Sequence, residues 1–284
     1  DIKRNYDKLN VEFDLWKGES DVQDLIPGMV EKFKKEGFAH ESEGALVVDV
    51  KEETDTKEIP PCIILKSDGA SLYSTTDLAT IEERMEKYHP DTLIYITDKR
   101  QVMHFEQVFR CARKTGLVEP ETRLVHIGYG TVNGSDGKPF KTREGGVPRL
   151  EKLIEEIDDE MYRKIRESRK ELSDEEARKT ADIVGLAALK YGDLSNQAAK
   201  DYVFDVDRFT SFEGDTGPYI LYTIVRIKSI LEKYVQQGGS LEGLSILPAQ
   251  NPDEKALMLE ISGFQSMIAG AEKELAPNRV CAYI

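Results

Sequence analysis

The sequence predicts an α/β part built on a parallel, doubly wound sheet, followed by a mostly helical second domain. Three observations carry this expectation. Between residues 76 and 128 helix-like and strand-like runs alternate: "TDLATIEERMEKYH" (76–89), "TLIYIT" (92–97), "RQVMHFEQVFRCARKTG" (100–116) and "RLVHIG" (123–128). Strands separated by helices imply parallel pairing through crossover connections. From 147 onward the character changes, and only helical patterns follow. The length of 284 residues allows about two domains.

Each element has its own local warrant. "SDVQDLIPGMVEKFKKEG" (20–37) reads as a helix with Ser20 and Gln23 as a capping box and Val22, Leu25, Ile26, Met29 and Phe33 on one apolar face. Gly37 is placed to end it, and Pro27 and Gly28 disturb its middle. "ALVVDVK" (45–51) and "CIILK" (62–66) are short β-rich runs, and "SDGA" (67–70) is turn chemistry. The helical patterns after 147 cover 147–171, 173–191 opening on the capping box "SDEE", 214–237 and 253–275. Pro277 and Asn278 mark a further helix start, close enough to the last residue to suggest a truncated helical domain.

Composition excludes several classes. With 39% hydrophobic and 32% charged residues, the chain is of ordinary globular type rather than disordered. No apolar run reaches the roughly 20 residues a membrane span needs, and the first residues lack the features of a signal or transit peptide, so a cytoplasmic protein is expected. Cys62, Cys111 and Cys281 are widely spaced, which suggests neither a disulfide framework nor a structural zinc site. The net charge of −14 argues against a nucleic-acid partner unless basic charge is local. It is local in "YRKIRESRK" (162–170), where Arg163, Lys164, Arg166, Arg169 and Lys170 face one acidic residue. The plain alternative for such a run is a solvated helix face.

Ligands of open α/β sheets bind beyond the carboxyl ends of the strands. The first strand of the alternation delivers Asp98, Arg100 and Gln101 there, and the second delivers His126, Gly128 and Gly130. Tyr73 and Asp77 flank a helix start, where Asp77 could equally be a carboxylate complementing the helix dipole. The loop "GTVNGSDGKPFKTREGG" (130–146) is not a Walker loop, because Val132 and Pro139 stand where glycine and a hydroxyl residue are required. A β-hairpin would explain its glycines, since "NGSDG" is strong turn chemistry. It would not explain "KPFKT", whose Lys138 and Lys141 could close on a polyphosphate.

The stretches "KSDGASLYSTTDLA", "DKRQVMHFEQVF", "HIGYGTVNGSDGKPFKTR" and "GLAALKYGDLSNQAAKDYVFDVDRFTSFEGDTGPYILYT" together resemble the arginyl-tRNA synthetases, which are class I aminoacyl-tRNA synthetases. The similarity runs through essentially the whole chain. It implies a partial Rossmann-like catalytic domain over 1–158, with a connective segment 1–66, and an all-α anticodon-binding domain over 159–284. It implies an arginine pocket of Tyr73, Asp77 and Gln101, an adenine and ribose site bordered by His126, Gly128, Gly130 and Val132, and "KPFKT" in the place of the family's KMSKS signature. Lys141, supported by Lys138, would then stabilise the pyrophosphate. ATP with Mg2+, L-arginine and tRNA(Arg) are the implied partners of a monomeric enzyme, with the basic run 162–170 as a tRNA-facing surface. No tightly bound cofactor and no metal-ligating residue is implied.

The family's other signature, HIGH, is missing, since none of His40, His89, His104 and His126 stands in such a motif. The expectation is therefore a piece of a larger enzyme, inactive by itself, with the lysine loop disordered or displaced from its working position. The alternative is a non-catalytic tRNA- or protein-binding helical module fused to a nucleotide-binding remnant.

Overall fold

The computed structural model describes residues 2–139 and 150–284. They form two compact units, one spanning Phe13–Gly130 and the other Thr131–Ile284 together with the N-terminal segment up to Glu12. That segment carries the short helix α1 (Ile2–Lys8), which buries no residue and whose Arg4 pairs with Glu151.

The unit Phe13–Gly130 begins with a 3-10 turn (Glu19–Leu25) running into α2 (Ile26–Lys35). One helix was expected over 20–37; two segments form because Pro27 has no N–H to donate and sits in the first turn of α2, where none is needed. The cap also shifts: Asp21 accepts from the backbone N–H of Gly18 at 2.7 Å, while the Gln23 side chain donates to the Glu19 carbonyl. Strands β1 (Ala39–Ser42), β2 (Ala45–Val48) and β3 (Cys62–Leu65) form an antiparallel sheet in that order. Helix α3 (Tyr73–Tyr88) leads to β4 (Thr92–Asp98), then a 3-10 turn (Lys99–Gln101), α4 (Val102–Lys114) and β5 (Arg123–Tyr129).

The parallel pairing expected from the alternation is present, with β4 and β5 in register from Thr92↔Arg123 to Asp98↔Tyr129. Leu93 and Tyr95 alternate inward from β4, and Phe105, Val108, Cys111 and Ala112 line one stripe of α4. These join Phe33, Val48, Ile64, Leu78 and Ile81 in a single core. Two polar clamps hold the irregular segments to it. Arg110 forks onto Asp55 at 2.6 and 2.9 Å, and this guanidinium holds the Asp55 carboxyl down at about 2. Glu83, buried in α3, accepts from Lys17 and Lys87, and those bonds lower its pKa.

The other unit starts with β6 (Val132–Asn133) and continues through α5 (Leu150–Ser168) and α6 (Asp174–Leu194). Then come β7 (Tyr202–Val203), which pairs with β6, and α7 (Val206–Phe209). The chain ends in α8 (Gly217–Gln236), α9 (Pro252–Ser262), α10 (Phe264–Glu274) and α11 (Pro277–Tyr283). Ser173 and Glu176 cap α6 reciprocally, as "SDEE" predicts. The helix expected over 253–275 divides at Gly263.

Helix α6 is the hub of this unit because its buried face is mostly small: Ala177, Ala181, Gly185, Ala188 and Gly192, with Leu189 as the one large side chain. A Cβ on Gly217, at the start of α8, would stand 2.1 Å from the Ala187 carbonyl oxygen, so the two helices cross at backbone contact. Among the described residues, no helix is long and apolar enough to cross a membrane.

Candidate active site

The candidate site in the unit Phe13–Gly130 is built where the first turns of α3 and α4 meet the ends of β4 and β5. Helix α3 is capped by Thr75, whose hydroxyl accepts from the Leu72 N–H at 2.9 Å and donates to the Ile64 carbonyl at 2.6 Å. That hydroxyl fixes the helix start to β3 and presents Tyr73, 71% exposed, at the first helical position. Asp77 follows four residues later on the same face.

Asp77 is not a helix-start carboxylate. The first turn of α3 contains no acidic residue, and dipole effects fade beyond it. Its carboxylate instead meets Nε2 of His104, in the first turn of α4, at 2.6 Å. Gln101 lies one turn before His104 at the N-cap of α4, exposed and making no capping bond with its side chain. Tyr73 and Asp77 on α3 are thus joined through His104 to the helix end that carries Gln101.

Beneath this junction lies an aromatic floor. Phe105 is buried and stacks on His126 with centroids 4.7 Å apart and planes 19° off parallel. His126 Nε2 is 2.8 Å from the Thr97 hydroxyl, and burial together with the neighbouring His104 lowers its pKa. Tyr95 packs against Phe105 and Phe109, with the Arg84 guanidinium 5.3 Å over its ring. Burial first, and the Asp77 charge to a lesser degree, push the Tyr95 phenol up to about 12, against the pull of Arg84.

The strand-end turn is held by Asp98, which accepts from the Arg100 backbone N–H at 2.8 Å and from its guanidinium at 2.9 and 2.6 Å. These contacts lower the Asp98 carboxyl to about 2. The turn also explains Gly128: a Cβ there would lie 2.6 Å from the Lys99 Cα. Packing within the protein therefore accounts for this glycine, whatever else approaches it. Gly130 is the last residue of this unit.

Val132 and Lys138 belong to the other unit. Val132 packs against the core of Ile154, Ile157 and Phe204. Lys138 is exposed at the end of a tight hairpin: the Gly134 N–H donates to the Lys138 carbonyl, the Gly137 N–H to the Gly134 carbonyl, and Asn133 bridges Pro139. Gly137 has φ +72°, which glycine permits. The hairpin reading of "NGSDG" is thus realised, and it presents Lys138. Lys141, and with it the expected displacement of the lysine loop, falls in 140–149, outside the described residues. A cavity of about 470 Å³ beside the hairpin carries Glu156, Asp205 and Asp207, the wrong sign for a polyphosphate.

The basic run is largely occupied within the chain. Arg163 pairs with Glu160 and Glu167, Lys164 donates to Thr210, Arg166 to the Leu172 carbonyl, and Arg169 to Glu171. Lys170 is exposed. Among the described residues no group of three or more His, Cys, Asp or Glu side chains is placed to hold a metal ion.

Comparison with known proteins decides the lineage. Residues 1–206 match the family "tRNA synthetases class I (R), catalytic domain". The chain belongs to the class I arginyl-tRNA synthetase family. Residues 220–284 match a second family, "DALR anticodon binding domain". The chain is similar to the Arginine--tRNA ligase of Agathobacter rectalis, 66% identical over 100% of the chain and 49% of the relative. It is likewise similar to that of Alkaliphilus oremlandii, 54% identical over 100% and 48%. Among solved structures, the arginyl-tRNA synthetase of Thermus thermophilus superposes with a TM-score of 0.83 at 23% identity, over 99% of the chain and 52% of that structure, which speaks to the fold alone.

The chain spans about half the length of the curated relatives it matches. The expected order, an α/β catalytic part followed by a helical anticodon-binding domain, is the one found. Helices α5 and α6 fall inside the catalytic-family match, although α6 packs against α8 and α11.

Sequence reasoning missed His104, which it weighed only as a histidine outside the HIGH motif. The signal was its spacing: in "RQVMHF" His104 stands three residues after Gln101, on the same face at the start of an amphipathic helix.

Proposed function

We propose that the full protein activates L-arginine with ATP and transfers it to tRNA(Arg), and that this chain supplies the arginine pocket, part of the nucleotide site and part of the tRNA-binding surface. The observation that carries the reading is the placement of Asp77. A carboxylate on the second turn of α3, side chain 27% exposed, is tied to α4 at 2.6 Å, with Tyr73 one turn before it and Gln101 one turn before its partner. A guanidinium needs a carboxylate for charge-assisted hydrogen bonds and neutral acceptors for its remaining N–H groups, and Tyr73 and Gln101 are of that kind. Lysine, a point charge with three donors, would use such a fork poorly.

In the chemical step the arginine carboxylate is itself the nucleophile, so no side-chain base is required. It attacks the α-phosphorus of ATP, arginyl-adenylate forms and pyrophosphate leaves. Lys138 and Lys141 would neutralise the charge growing on the leaving pyrophosphate, and Mg2+ arrives with ATP as part of the substrate. His126, Gly128, Gly130 and Val132 are proposed to border the adenine and ribose. Arg163, Lys164, Arg166, Arg169 and Lys170 are the proposed tRNA-facing residues, with Arg163 and Arg169 exchanging internal carboxylate partners for phosphates. The catalytic part is proposed to extend to 158 and the anticodon-binding part from 159, in a monomeric, cytoplasmic enzyme.

The pocket is tested by titrating arginine into the full-length protein and its Asp77→Asn variant. The expected result is arginine affinity lower by about a hundredfold, as for loss of a charged hydrogen-bond partner, with ATP affinity little changed. Equal arginine affinity would remove Asp77 from the pocket.

A further inference from the structure

We propose that His104 is a positioning residue for amino-acid recognition: it holds the Asp77 carboxylate, and through it the spacing of α3 from α4, in the arrangement a guanidinium requires. The inference rests on the arginine-pocket reading above and adds a role for the residue that ties Asp77 to α4.

The chemistry of the contact fixes its polarity. An ionised carboxylate only accepts hydrogen bonds, so at 2.6 Å the His104 Nε2 must carry the proton and donate it. One carboxylate oxygen of Asp77, Oδ2, is thereby occupied. Oδ1 and the remaining lone pair of Oδ2 are left for an incoming cation. Among the described residues Asp77 has no second anchor of this kind: α3 is capped by Thr75, and Asp77 lies beyond its first turn. Without His104, this part-exposed side chain would be free to change rotamer.

His104 is itself well supported. Its ring stands edge-on to Phe105 at 5.0 Å and 81°, Phe105 stacks on His126, and His126 is bonded to Thr97 at the end of β4. A chain of rigid contacts therefore runs from the parallel strands to the Asp77 carboxylate. Gln101 precedes His104 by three residues on the same helix end, so one imidazole sets Asp77 relative to Gln101. A donor that need not carry a permanent charge suits the task, since a lysine or arginine at 104 would cancel the charge that draws the substrate.

The test uses the full-length protein with its tRNA in arginine-dependent ATP–pyrophosphate exchange, comparing His104→Ala, His104→Gln and Asp77→Asn. The expected result for His104→Ala is a KM for arginine raised about tenfold or more, the worth of one hydrogen bond to a charged group, with the KM for ATP unchanged. In His104→Gln, whose amide N–H can take the place of Nε2–H, the arginine KM should return most of the way to the parental value. If Asp77→Asn loses arginine while His104→Ala keeps the parental KM, the positioning role is overturned and the pocket stands. If neither variant changes the arginine KM, the pocket reading falls and the positioning role with it. If His104→Ala raises both KM values and lowers thermal stability, with no recovery in His104→Gln, His104 is a packing residue and the proposal is wrong.

Discussion

At the scale of single residues, chemistry and packing reach some of the same positions. Tyr73, Asp77 and Gln101 stand out as candidates because helix spacing and the strand-end rule place them near one sheet edge, and the family resemblance supplies the proposed pocket role. His104 does not, because its proposed role depends on a contact between residues 27 apart in sequence, which no local pattern contains. Gly128 shows the opposite case. It was read as leaving room for a nucleotide, yet the Lys99 backbone already occupies the place of a Cβ, at 2.6 Å. Gly128→Ala should therefore destabilise the Phe13–Gly130 unit by about 2 kcal/mol through overpacking, without any ligand present. Chemical denaturation of the unliganded protein checks this, and an unchanged midpoint would return the glycine to a purely ligand-related role.

At the scale of elements, periodicity located nearly every long helix and the parallel strands. It failed where polar or very short segments depend on neighbours. Strand β1 is mostly exposed and exists only as the antiparallel partner of β2. β7 has only two residues and pairs with β6. The α5 and α6 pair illustrates a cost that the pattern could not show. Asp158 lies half-buried beside Gly185, where a Cβ would sit 2.4 Å from its Oδ1. Burial raises its carboxyl to about 6, with Asp182 and Asp159 pushing the same way and Lys8 and Arg178 opposing. A carboxyl raised on folding contributes stability below its ordinary value of 3.8, and that contribution is lost as the pH climbs through about 6. Asp158→Asn should thus raise the melting temperature at pH 8 by about 2 °C, a figure discounted for the half-exposed group. The gain should vanish near pH 4. A pH-independent difference in thermal melts would assign the effect to packing instead of ionisation.

At the scale of the whole molecule, a net charge of −14 coexists with a basic run whose arginines are held by neighbouring carboxylates or carbonyls. Composition alone argues against a nucleic-acid partner, whereas the match of 220–284 to the family "DALR anticodon binding domain" supports the tRNA partner proposed above. Apolar side chains along α8 and α9, among them Val225, Ile230, Leu257 and Ile261, are more than half exposed. Faces of this kind are where proteins make further contacts. The sequence made the lineage legible because several long motifs occur in one order, while the arrangement of the site around Asp77 needed the structure.

The central claim is that the full protein selects arginine and activates it with ATP. It is tested most directly by ATP–pyrophosphate exchange with the full-length protein, its tRNA, and each of the standard amino acids in turn. The account predicts exchange with arginine and little with lysine. Exchange driven by another amino acid, or its absence with arginine and tRNA both present, would contradict it.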